Sequence, residues 1–277
     1  MATQAPARKW IGQSIPRVED PRLLLGRGEY VTDLVLPGMV HAAILRSPYA
    51  HARIVSIDTS KARGLPGVLA MVTGQEIKEL TNPMPDFGPD PSKHTWWLLA
   101  TDKVRYMGEP VAAVVATDRY IAEDACELIE VNYEPLPVIV DPEEAMKPGA
   151  PLVHEPLGTN VVYSRTFVFG EVDRDFAEAE VVVRDHLRWH RSGAQPLETV
   201  GAVAQYNPAT GMMTIYCNSV TFTFLLFLVA NTLKIPSNKL NLIPCPAGGS
   251  FGSKFWAVRV PILAGMLAKL VGRPVKF

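Results

Sequence analysis

Two periods of apolar and polar positions run through this chain, and the clearest unit lies near its middle. Residues 111–116, Val-Ala-Ala-Val-Val-Ala, form a near-continuous apolar run that reads as a strand, entered through the turn Gly108-Glu109-Pro110. Asp118 then caps a helix predicted to run to about Ile129, with Ile121, Ala122, Ala125 and Leu128 at helical spacing. Residues 130–134 read as the next strand, and a strand–helix–strand of this length implies an α/β or α+β domain. Upstream, residues 39–46 read as a buried strand ended by Ser47-Pro48. Residues 51–58 alternate at period two, as a half-buried strand does, and residues 67–73 form another strand. Gly26 and Gly28 break helix and leave Tyr30-Val31-Thr32 as strand-favouring. Short helices are predicted over 59–63, with Thr59 or Ser60 as cap, and from Gly74 onward. Residues 1–20 lack helical periodicity and read as an extended lead-in.

The second half has its own rhythm. A short strand is predicted at 167–169 and a short helix at 173–179, capped by Asp173. Residues 180–190 end in strict alternation and predict a long edge-type strand with His186, Arg188 and His190 on one face. Strands follow at 200–206 and 212–217, joined by a turn over 207–211, then a helix over 221–233 ended by Pro236. A further helix-compatible segment runs from about Phe255 to Val271. Prolines punctuate the chain: 81–95 is a loop, followed by Trp96 and Trp97 as core and rim, and Pro142, Pro148, Pro151 and Pro156 mark a linker. The organisation expected is a lead-in over 1–20, a first domain over 21–141, a linker over 142–165 and a second unit over 166–277. No internal repeat is visible.

Composition narrows the class without deciding it. The 277 residues carry a net charge of −1, and no basic stripe interleaved with aromatics suggests a nucleic-acid footprint. Cys126, Cys217 and Cys245 are scattered and odd in number, which argues against a disulfide framework and against an iron–sulfur or zinc site built from this chain. The first nine residues lack a signal-peptide core, and the most apolar stretch, 222–230, is too short to span a bilayer. The expectation is a cytoplasmic protein in a reducing compartment.

Few stretches carry candidate chemistry. Gly248-Gly249-Ser250-Phe251-Gly252-Ser253-Lys254 follows an apolar-to-turn run and precedes the last helical segment. Glycines leave backbone amides unshielded, and exposed N–H groups entering a helix attract anions or electron-rich oxygens. A glycine turn packed against its own helix is the other reading, and the spacing is neither GxxxxGK[ST] nor GxGxxG. His186, Arg188 and His190 read either as a solvated strand face or as metal ligands. Glu198 lies in a Pro-Leu-Glu-Thr turn, and Glu109 reads as a charged cap. No Ser-His-Asp order or nucleophile elbow is present.

The glycine stretch resembles the GGGFGxK segment of the molybdenum hydroxylases, the xanthine dehydrogenase/aldehyde oxidase family, with Ser250 in place of a third glycine. Further landmarks are Gly-Arg-Gly-Glu-Tyr-Val-Thr-Asp at 26–33, Leu-Arg-Ser-Pro-Tyr-Ala-His-Ala at 45–52 and Val-Arg-Tyr-Met-Gly-Glu-Pro-Val-Ala at 104–112. Pro196-Leu197-Glu198-Thr199 and Pro274-Val275-Lys276 extend the resemblance.

It implies an α+β chain: a hammerhead-type α/β domain, then the first part of a molybdopterin-binding domain. Gly248, Gly249, Ser250, Phe251 and Gly252 would line the molybdenum–molybdopterin cofactor. Glu198 and Val220 would lie at the substrate pocket, Val220 standing where relatives carry a glutamine. The catalytic glutamate would sit on a second molybdopterin-binding chain, making this the N-terminal piece of a split subunit. 2Fe-2S clusters and FAD would sit on iron–sulfur and FAD subunits. The reaction implied is oxidative hydroxylation of an aldehyde or N-heteroaromatic with water as oxygen source. Val220 and Ser250 leave a non-catalytic scaffold as the alternative.

Overall fold

The computed structural model describes residues 10–85 and 95–277. It is a mixed α+β fold built on one long sheet. In chain order the elements of the first part are α1 Asp20–Leu24, β1 Val40–Arg46, β2 Ala52–Asp58, α2 Ser60–Arg63, β3 Val68–Thr73, α3 Gly74–Leu80, β4 Lys103–Val104, β5 Pro110–Ala116, α4 Arg119–Glu127 and β6 Glu130–Pro135. After α5 Pro142–Ala145 and α6 Val172–Glu178 come β7 Ala202–Asn207, β8 Met212–Cys217, α7 Phe222–Leu233, β9 Leu240–Pro244, α8 Ser253–Trp256, α9 Arg259–Val271 and β10 Val275–Lys276.

The apolar run at 111–116 sits where its composition demands. Every residue of β5 is buried, between β3 and β1, and both neighbours run antiparallel to it. Burying a valine side chain contributes roughly 1.5–3 kcal/mol, so the three valines of β5 anchor this half. Asp118 caps α4 by accepting the Ile121 amide at 2.9 Å, and the buried Ala122, Ala125 and Cys126 turn that helix onto β1 and β5. The smaller sheet, in the order β4-β2-β6, is antiparallel throughout.

The main sheet has the order β3-β5-β1-β10-β7-β8-β9, so strands from both halves of the chain share one hydrogen-bonded surface. The join is β10, which pairs parallel to β1 through Val40 and Val275 and antiparallel to β7 through Val275 and Ala204. Lys276 reinforces it by donating to the carbonyls of Thr32 at 2.5 Å and Leu34 at 3.0 Å. The largest buried cluster follows the sheet across the join, from Val40, Val72 and Leu98 to Ile215, Leu263 and Leu267. Helix α9 lies on β7 and β8, and α7 packs against α9.

Several sequence expectations need correction. Tyr30-Val31-Thr32 is not a strand: Val31–Asp33 is a 3-10 turn, closed by the Asp33 carboxylate accepting the Tyr30 amide at 2.8 Å. Helix α1 begins at Asp20, the last residue of the expected lead-in, with a proline in its first turn. Thr59 precedes α2 without capping it through its side chain; Asp58 accepts the Ser60 amide instead. The helix expected from Phe255 to Val271 is interrupted at Ala257, splitting α8 from α9. Residues 167–169 and 180–190 form no strand, because no strand among the described residues lies alongside to pair with them. Trp96 is partly exposed and Trp97 packs against the core, while most of the proline-rich loop lies outside the described residues.

Candidate cofactor site

The glycine stretch leaves β9 at the sheet edge. The Cys245 amide still donates to the Cys217 carbonyl at 2.9 Å, and the chain then turns toward the 196–199 segment. Glu198 clamps it there. Its amide donates to the Gly248 carbonyl at 3.3 Å, while its Oε2 accepts the Gly248 amide at 2.7 Å and the Lys254 Nζ at 2.8 Å. The Lys254 side chain has no exposed surface and that of Glu198 is 15% exposed, so this ion pair is a buried brace across the loop. Glycine at 248 is a packing requirement: a Cβ there would stand 2.6 Å from the Glu198 Cβ.

Beyond the brace the main chain is bare. Gly249, Phe251 and Gly252 all have positive φ, at 95°, 49° and 86°. A phenylalanine in the left-handed region is strained, and the residue is 77% exposed. Among the described residues the amides of Gly249, Ser250, Phe251 and Gly252 donate no hydrogen bond. The Ser250 carbonyl accepts from the Ser253 amide at 3.0 Å and from its hydroxyl at 2.8 Å, which holds the turn in shape. Helix α8 is a single turn, so the donors here are individual N–H groups rather than the end of a long dipole.

Two buried polar atoms of the braced loop have no partner among the described residues, Ser250 Oγ and Glu198 Oε1, and so do Ser219 Oγ and Thr221 Oγ1 on either side of Val220. Each costs free energy unless a ligand or further protein reaches it. Val220 itself is half-exposed at the entrance to α7. Asn218, two residues before it, is already engaged elsewhere. Its buried amide donates to the Thr199 carbonyl at 2.8 Å and accepts from Gly201 at 3.2 Å, fixing the entry to β7.

The other candidates lie elsewhere. His186 and Arg188 are exposed, and among the described residues their side chains reach Glu143 and Asp141, each at 3.7 Å; His190 is exposed as well. Among the described residues no group of three His, Cys, Asp or Glu side chains is placed to hold a metal. Glu109 is buried and accepts the Arg105 amide at 2.6 Å, and burial pushes its carboxyl up. It lines a cavity of about 1000 Å³, with Arg46, Arg105, Tyr106, Trp256 and Arg259, that does not include the glycine loop. Burial pushes the Cys217 thiol up to about 11 and the Cys126 thiol up to about 12. Sequence reasoning missed the Glu198–Lys254 pair, because nothing local links residues 56 positions apart.

Comparison with known proteins gives the family. Residues 25–137 match the aldehyde oxidase and xanthine dehydrogenase a/b hammerhead domain, and residues 153–277 match the molybdopterin cofactor-binding domain. The chain belongs to the molybdenum hydroxylase family and corresponds to the N-terminal part of its large subunits. It is 39% identical to the carbon monoxide dehydrogenase large chain of Afipia carboxidovorans, over 100% of this chain and 35% of that protein. It is 36% identical to the 6-hydroxypseudooxynicotine dehydrogenase complex subunit gamma of Paenarthrobacter nicotinovorans, again over 100% of this chain and 35% of the relative. The crystal structure of quinoline 2-oxidoreductase from Pseudomonas putida 86 superposes with a TM-score of 0.88 at 40% identity, covering 96% of this chain and 34% of that one. The chain therefore spans about a third of the length of these relatives.

Proposed function

We propose that this chain contributes one wall of the molybdenum–molybdopterin site of a multi-subunit hydroxylase, the remainder of the site coming from residues beyond it. The observation that carries this reading is the run of four amides, Gly249 to Gly252, that donate to no described residue on a loop held by a buried ion pair. The residues fit such a group: main-chain donors and the Ser250 hydroxyl offer hydrogen bonds to an electron-rich ligand, and the small side chains let it approach. Gly249, Ser250, Phe251 and Gly252 would hold the cofactor, and Gly248 would serve the packing of Glu198. Bound there, the cofactor supplies two-electron redox chemistry that places water-derived oxygen on a C–H carbon of an aldehyde or N-heteroaromatic substrate. The protein's part is to orient and to exclude water. Val220 and the exposed Phe251 ring would form apolar wall toward the substrate, while Glu198 sets the position of the loop.

Iron–sulfur and flavin groups on other subunits would carry the electrons away, and one relative is named as a subunit of a complex. Phe251→Asp in the assembled enzyme tests the reading, because it puts a charge where the cofactor would approach. Molybdenum and pterin content should fall at least about tenfold, a penalty of roughly 1.4 kcal/mol. A second reading, a scaffold that keeps the fold without the chemistry, draws on Val220 and Ser250. Full metal content and full activity in the Phe251→Asp enzyme would favour it.

A further inference from the structure

The cavity of about 1000 Å³ opens between the two halves of the chain, apart from the glycine loop. Trp97 and Leu99 line it from the first half, and Leu228, Trp256 and Val258 from the second. Leu99, Leu228 and Val258 are buried and Trp256 is exposed, so an apolar interior opens through an aromatic rim. One wall differs, and it is built on the turn over 105–109 that leads into β5. Glu109 fixes that turn by accepting the Arg105 amide at 2.6 Å. Arg46, at the end of β1, donates to the Gly108 carbonyl at 3.0 Å. Arg259, the first residue of α9, donates to the Tyr106 hydroxyl and lies 5.9 Å from the centre of its ring. Three guanidinium groups from three elements therefore meet on one turn.

Their charge is poorly matched. Arg105 reaches Asp102 at a long 3.4 Å, and its Nε is buried without an acceptor among the described residues. Among the described residues Arg46 and Arg259 form no ion pair, their hydrogen bonds going to a carbonyl and a phenol. Lys78 adds a further cation to the lining. The Glu109 carboxyl is the one acid within the turn, and burial pushes it up against the pull of Arg259 and Arg105, which disfavours its negative form.

We propose that this cavity binds a small organic carboxylate with an aromatic or aliphatic body. Arg46, Arg105 and Arg259 hold its carboxylate, and its body lies against Trp97, Leu228 and Trp256. The guanidinium fork matches a planar carboxylate through paired N–H donors, and such an acceptor would satisfy the buried Arg105 Nε. A mostly apolar pocket at a junction, with a few convergent polar groups at one wall, is the usual form of a small-molecule site. A sugar or a chain of phosphates is a poor match, because the walls beyond the turn offer tryptophan, leucine and valine in place of hydrogen bonds. The cavity excludes the glycine loop, so the proposal does not rest on the cofactor reading.

Equilibrium dialysis of the assembled enzyme against 2-naphthoate tests the site. Saturable binding is expected, with 2-naphthamide, the uncharged amide on the same ring, held at least about tenfold more weakly. Arg259→Met should weaken 2-naphthoate by about tenfold, and Arg46→Met, at an exposed position, by about threefold or more. Arg46→Met carries the test if the Arg259 variant fails to assemble. Absence of saturable binding to the unaltered enzyme overturns the proposal, and so does equal binding of acid and amide. Affinity unchanged by either substitution also overturns it, since the naphthoate would then sit elsewhere. The measurement reads neither molybdenum nor turnover, so the proposal can fail while the cofactor reading stands, and the reverse.

Discussion

The Lys254 ammonium lies 2.8 Å from Glu198 with none of its side chain in contact with solvent. Removing one partner of such a pair leaves the other charge buried and alone. Lys254→Met should therefore destabilise the fold around the loop by about 3–5 kcal/mol, read as a lower unfolding temperature of the assembled enzyme. The double variant Lys254→Met with Glu198→Gln should regain much of that loss, because no isolated charge remains. Two glycines make a second contrast at this scale. Gly248→Ala pushes a methyl to 2.6 Å from the Glu198 Cβ and should displace the clamp, whereas Gly252→Ala meets no atom within 4 Å. Only the backbone angle at 252, with φ at 86°, opposes the second change, so it should cost roughly 1–2 kcal/mol. Limited proteolysis at the loop would rank the two.

At the scale of elements, the unit of β5, α4 and β6 was legible because its signals are local: an apolar run, a cap and a helical stripe within 25 or so residues. The same logic failed at 180–190, where alternation was present and pairing was not, since a strand exists only beside another strand. The break between α8 and α9 was announced by Pro261, which has no amide to donate to the Ala257 carbonyl four residues back and whose ring clashes with it, so the helix restarts at Arg259 with Pro261 in its first turn. Titration offers a test of two elements. Burial raises the thiols of Cys126 on α4 and Cys217 on β8 from an ordinary 9.0 to about 12 and about 11. The unfolded chain loses these protons first as pH rises, so their contribution is intact below pH 9.0 and is lost as pH climbs toward about 11–12. Stability should fall over that window, and Cys217→Ala should flatten the curve between pH 9.0 and about 11 in a pH series of thermal melts. Both thiols should resist alkylation at pH 8.

The whole molecule depends on β10. Val275 has no exposed surface and touches strands from both halves. Val275→Asp would bury an unpaired carboxylate at the centre of the sheet, and the expected outcome is loss of soluble protein. Lys276→Ala removes the two bonds to Thr32 and Leu34 and should be milder, about 1–3 kcal/mol by thermal melting. The candidate loop was visible in the sequence because Gly248, Gly249 and Gly252 fall within one short stretch, and its family could be named from them. Its brace was invisible, because Glu198 and Lys254 meet only through the fold.

The order in which the chain is made gives β10 a further meaning. Val40 emerges from the ribosome some 235 residues before Val275, its partner in the sheet. At 5–20 residues per second, β1 waits on the order of 10–50 s with one edge unpaired. A nascent chain in that interval carries an open apolar strand beside a finished β5, which is the situation that chaperones attend to and that aggregation exploits. Ribosome-bound chains halted just before and just after residue 276 has cleared the exit tunnel should differ sharply in protease resistance over β1.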